Sequence, residues 1–168
     1  MLYVLLVLLA SAIAAVTDLR TRRIFNAVPA GLAAAGLSLH ALQNPHGLAI
    51  CIALLIAVFL SGTLLFSLGI IGGGDVKLLA AAAATLGWPL TMPFLLYTIF
   101  AGALLGIGIA CARGQLRATF SNIFAMTVPM AAGGRPSLTV SAAGSMPYGV
   151  AIFSGVCTLA LVQQFGLH

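Results

Sequence analysis

Gly72-Gly73-Gly74-Asp75-Val76-Lys77-Leu78-Leu79-Ala80-Ala81-Ala82-Ala83-Ala84-Thr85-Leu86-Gly87 is the stretch on which the fold turns. Three glycines precede an acid, a short alanine-rich apolar helix follows, and a glycine ends it. From Asp75 to Gly87 the run covers about 13 residues, against the roughly 20 that cross a bilayer. Such a helix enters a membrane only when neighbours shield its ends, or when the glycines form a loop dipping into protein or a watery cavity. Alanine side chains let those neighbours come close. An ionisable group at its mouth is costly in apolar surroundings and marks a working site.

The rest of the chain supplies the neighbours. Hydrophobic residues make up 62% and charged residues 5% of the 168, and the mean hydropathy is +1.19, which excludes a soluble domain. Apolar runs at residues 2–17, 28–42, 48–71, 75–87, 94–112 and 147–165 predict an all-α polytopic membrane protein, a six-helix transmembrane bundle. Turn-forming Asn44, Pro45 and Gly47, the glycine run, and residues 87–93 link them. Between the fifth and sixth runs, Leu116, Phe120, Ile123, Phe124 and Val128 fall at helical spacing, which predicts an interfacial helix over residues 115–130. No polar linker interrupts the pattern, so residues 1–168 are expected to form a single integral membrane domain.

Short loops force the helices to alternate, so the cations test the topology. Arg20, Arg22 and Arg23 follow the first run, Lys77 opens the fourth, and Arg113, Arg117 and Arg135 separate the fifth and sixth. All seven fall on one side, which is expected to be cytoplasmic, with both termini outside. The opening run lacks the basic start of a cleavable signal peptide and reads as a retained span. The net charge of +5 does not indicate nucleic acid, because the basic residues are scattered in short groups. The Arg cluster suits orientation and anionic membrane lipid. Cys51, Cys111 and Cys157 have neither zinc-ligand nor redox spacing and read as buried thiols.

The chain contains two acidic residues, Asp18 and Asp75, and no glutamate. Two crossings separate them, so both lie toward the cytoplasmic end and can meet. Two carboxyls close together in a low-dielectric site share a proton. The ionised member can draw a proton from water as it attacks an amide carbon, while the protonated member donates to the carbonyl oxygen. No metal or cofactor is required. Singly, Asp18 reads as an interfacial acid neutralised by its arginines, and Asp75 as a helix cap. The occurrence of both, with no other acid, favours a catalytic pair. Gly72, Gly73 and Gly74 read either as a simple turn or as room for an extended substrate backbone.

At these positions the chain resembles the type IV prepilin peptidases, intramembrane aspartyl proteases with a G-x-G-D signature. Gly72 to Leu78 resembles that signature. Asp18-Leu19-Arg20-Thr21-Arg22-Arg23-Ile24-Phe25-Asn26 resembles the family's first-aspartate motif, D-x-[RK]-x-x-x-I-P-N, with Phe25 in place of proline. Met146-Pro147-Tyr148-Gly149-Val150 resembles the Pro-Tyr-Gly element opening its last helix. The resemblance implies Asp18 and Asp75 as catalytic residues. It further implies removal of the basic leader of prepilins and pseudopilins, after a glycine, at the cytoplasmic boundary of the bacterial inner membrane. The C-x-x-C pairs of the larger members are missing, so the chain looks like the compact peptidases of Flp or tight-adherence pilus systems.

Lys77 reads as a snorkelling anchor or as a partner of Asp75 or a substrate carbonyl. Tyr148 could reach the site with its hydroxyl. Asn26 and Pro29 read as the cap and first turn of the second helix, and His40, His46 and His168 as surface residues. Two other classes stay open. A small ion-coupled transporter would also use intramembrane carboxyls but needs a polar path across the bilayer, and a non-enzymatic pilus-assembly subunit would not depend on either aspartate.

Overall fold

The computed structural model describes residues 1–43, 45–112, 114 and 148–166. The expected interfacial helix over 115–130 lies outside the described residues, as do Arg113, Arg117, Arg135, Pro147 and His168. Among those described, six α-helices occur and no strand: α1 Leu2–Thr21, α2 Ala27–Gln43, α3 Pro45–Ser67, α4 Gly73–Leu86, α5 Thr91–Ala112 and α6 Tyr148–Gln164. Three are long and apolar enough to cross a membrane: Leu2–Thr21, Gly47–Ser67 and Thr91–Ala112. The shorter α2, α4 and α6 have 17, 14 and 17 residues.

The chain divides into two compact units, Met1–Gly102 with Pro147–His168, and Ala103–Met146. In the second, the described residues are the end of α5 and Gly114, whose N–H donates to the Cys111 carbonyl at 3.0 Å. The first unit holds both aspartates. There α4 packs against α1, α2, α3 and α6, and α1 also packs along α6. Val76, Leu78 and every residue from Ala80 to Leu86 are buried. This surrounding is what a helix about 21 Å long at 1.5 Å per residue requires.

Glycines on the neighbouring helices make that fit. A Cβ on Gly62 of α3 would come within 2.7 Å of Val76 Cγ1. Gly36 of α2 lies still closer to Thr85. The core joins Val7 and Ala14 of α1, Leu32 of α2, Leu78 of α4, Phe94 of α5 and Ile152 and Val156 of α6. The outer faces carry exposed Leu5, Leu9, Leu60, Leu64, Ile99 and Phe100. In water such surface would be costly; against lipid it is matched.

Two helix ends differ from expectation. α1 continues past Thr17 to Thr21, because nothing in Asp18-Leu19-Arg20 breaks a helix. It ends where Arg22 turns left-handed, with φ 52°, its N–H donating to the Asp18 carbonyl. α3 stops at Ser67 instead of running to residue 71, since Gly69 takes φ 71°. There Gly69 N–H donates to Phe66 O at 2.9 Å and Ile70 N–H to Leu65 O at 3.0 Å, which closes the helix end.

His40 is also corrected, because it is buried, not a surface residue. Its Nε2–H donates to the Thr85 carbonyl at 3.0 Å, and its ring stacks on Tyr3 with centroids 4.3 Å apart. The apolar α2 turns this side chain inward at the end of α4, where the last carbonyls lack partners within their own helix.

Candidate active site

Three helix ends build the site. Asp18 lies in the last turn of α1, Asp75 in the first turn of α4, and Tyr148 and Gly149 open α6. Asp18 Oδ2 accepts the backbone N–H of Gly149 at 3.0 Å. Arg20, Arg22 and Arg23 are exposed, and none forms an ion pair with Asp18 among the described residues. The acid is therefore held by a main-chain donor from another helix, not by the neighbouring arginines.

Asp75 lies close enough to feel the charge of Asp18, and Tyr148 lies close enough to feel that of Asp75. The two acids and the tyrosine thus form one electrostatic cluster. Asp75 Oδ1 is buried with no hydrogen-bond partner among the described residues. Leaving a buried polar atom unmade costs about 1–3 kcal/mol, so such atoms are rare.

Each glycine of the run meets something different. A Cβ on Gly72 would stand 2.7 Å from Asp75 Oδ2, and one on Gly74 would stand 3.1 Å from Ile24 Cβ. Gly73 faces the Phe66 ring, whose nearest atom would be 3.5 Å from a Cβ. Gly72 precedes α4 as its cap in extended conformation, φ −73° and ψ 145°, so the run is the helix start, not a free loop.

Lys77 points elsewhere. Its Nζ donates to Asn26 Oδ1 at 2.9 Å, tying the start of α4 to the start of α2. An open apolar trough of about 400 Å³ lies beside it, lined by Pro29, Ala33, Leu55, Phe59 and Ala80 among others. Among the described residues no three His, Cys, Asp or Glu side chains group as metal ligands.

The site also holds a participant that sequence reasoning passed over. Gly149 stood within the Pro-Tyr-Gly stretch without a role, yet its amide is the hydrogen-bond partner of Asp18. Its position after Pro147 and Tyr148 was the available signal.

A bundle of apolar helices, three of them long enough to cross a membrane, defines a multi-pass membrane protein. The profile of the type IV leader peptidase family matches residues 4–107, and the chain belongs to that family. It is a peptidase of type IV leaders and a multi-pass membrane protein. The matched stretch includes both aspartates and the glycine run; α6 lies beyond it. Neither the curated proteins nor the solved structures gave a match.

Proposed function

We propose that this chain is an intramembrane aspartyl endopeptidase in which Asp18 and Asp75 are the catalytic pair. In this reading residues 1–168 form one domain, a six-helix transmembrane bundle in a bacterial inner membrane, with the site facing the cytoplasm and both termini outside. It removes the basic leader of Flp-type prepilins and pseudopilins after a glycine at the membrane boundary. What supports the reading is that the chain's two acidic residues lie at the ends of packed helices, near enough for the charge of Asp18 to act on Asp75, whose buried Oδ1 has no hydrogen-bond partner among the described residues.

The chemistry follows from one shared proton. A water held between the carboxyls loses a proton to the ionised member as it attacks the scissile carbonyl, and the protonated member donates to the carbonyl oxygen. A helical substrate must unwind locally to expose that carbonyl, and Gly72, Gly73 and Gly74 leave main chain open to an extended segment. Tyr148 acts as a supporting group at the mouth, while Lys77 steadies the start of α4 through its bond to Asn26.

Co-expression with a small Flp-type prepilin tests this, scored by the mass shift on leader loss. Asp18→Asn and Asp75→Asn are each expected to abolish cleavage while the protein stays in the membrane, because an amide keeps the size but cannot exchange the proton. Full cleavage by either variant removes that residue from the pair, cleavage by both refutes the aspartyl site, and leader loss no greater with the wild type than without the protein favours a non-enzymatic assembly subunit. Activity is expected to survive EDTA. Loss in EDTA with recovery on added zinc overturns the metal-free mechanism.

A further inference from the structure

The start of α6 approaches α1 at a point where any Cβ would crowd Asp18. A Cβ on Gly149 would stand 3.1 Å from both Asp18 Cβ and Asp18 Oδ2, and 3.3 Å from the Ala14 carbonyl oxygen. Its N–H, in the first turn of a 17-residue helix, has no carbonyl partner within that helix and donates to Asp18 Oδ2. The positive end of the helix dipole adds to this donor.

Asp75 also sits at a helix start, with the Gly72 and Asp75 backbone N–H groups acting on its carboxyl, but it is the more deeply enclosed acid. Its Oδ1 is buried and unpaired among the described residues. The titratable groups facing it are Asp18 from α1 and Tyr148 from α6. Lys77, on its own helix, is engaged by Asn26, and α2 and α3 carry no titratable side chain at this end.

We propose, resting on the aspartyl peptidase reading, that Gly149 is a positioning residue that holds Asp18 as the ionised member of the pair, so that Asp18 takes the proton of the attacking water and Asp75 supplies the proton to the carbonyl oxygen. The water oxygen bonds to the carbonyl carbon, and the C=O π pair moves to oxygen, which takes the Asp75 proton. A gem-diol then stands between protonated Asp18 and ionised Asp75. On collapse Asp18 gives its proton to the amide nitrogen, Asp75 recovers one from a gem-diol hydroxyl, and the C–N bond breaks. The pair returns to its starting state with no other co-reactant.

Kinetics of the full chain in bilayer discs test the positioning. Gly149→Ala is expected to lower kcat about 100-fold, the scale of a 1 Å misplacement, with KM changed less than about threefold, since only transition-state contacts are lost. Gly155→Ala is the control, because Gly155 packs even more closely against Thr98 of α5, away from the pair. It is expected to lower the melting temperature without that loss of kcat. Wild-type kcat in Gly149→Ala overturns the positioning role.

A second measurement does not depend on the Gly149 variant folding. Because Asp18 and Asp75 are the chain's acidic side chains, infrared difference spectra of ¹³C-aspartate-labelled protein read the pair alone. At mildly acidic pH a protonated-carboxyl band is expected in the wild type and in Asp18→Asn, and not in Asp75→Asn. The reverse pattern overturns the division of roles. If both Asn variants still cleave, the peptidase site itself is refuted; dependence on both with the reverse band refutes this proposal alone.

Discussion

Gly72 shows how a single residue can be required for a reason that backbone geometry hides. Its φ of −73° and ψ of 145° suit any residue, so no conformational strain selects glycine here. The demand comes from Asp75 Oδ2, which a Cβ would approach to 2.7 Å. Gly72→Ala is therefore expected to displace the carboxyl while leaving α4 intact. Leader cleavage should fall about 10- to 100-fold, measured as initial rates, with the melting temperature in detergent little changed. A wild-type rate would show that the Asp75 rotamer shown here is not the working one. Both acids were legible in the sequence, because a carboxylate in an apolar chain has to be explained. Their partners were not, since the Gly149 amide reaches Asp18 only after α6 has packed on α1. Asn26 was legible as a cap, whereas its bond to Lys77 depends on how α2 meets α4.

At the scale of elements, α4 explains why a helix too short to cross a bilayer can be central. Its shortness and its alanines could be read directly, and so could the need for shielding neighbours. What sequence could not supply was which small residues on distant helices face it. Gly36 and Gly62 are ordinary helix glycines until α2 and α3 are docked, when they become the points of contact with Thr85 and Val76. His40 is the same lesson with opposite sign: a polar residue near a helix end reads as exposed, yet Thr85 O and the Tyr3 ring hold it inside. Gly36→Val is expected to cost about 1–3 kcal/mol, because backbone and side chain of Thr85 must both give way. Thermal unfolding in detergent should show a lower midpoint, with residual cleavage per folded molecule preserved, since Gly36 lies at the end of α4 remote from Asp75. An unchanged midpoint would mean that α2 and α4 are not packed as described.

For the whole molecule, the mechanism depends on sidedness. The ends of α1 and the starts of α2, α4 and α6 come together around the aspartates, as the contacts Gly149–Asp18, Lys77–Asn26 and Gly74–Ile24 require. In the proposed topology α2 and α3 each cross and return the chain to the side from which α1 left, an argument independent of charge. Among the described residues Arg20, Arg22, Arg23 and Lys77 lie at that end, and the enrichment of Lys and Arg in cytoplasmic loops gives the proposed direction. Together they predict that residues 20–23, 72–75 and 113–135 face the cytoplasm and that both termini are outside. Single thiols introduced into a background lacking Cys51, Cys111 and Cys157 can be scored with a membrane-impermeant reagent in intact and opened cells. Thiols at residue 22 and near residue 73 are expected to label only after opening, and one near residue 44 in intact cells. Labelling of the first two from opposite faces would separate Asp18 from Asp75, and no shared proton could then pass between them.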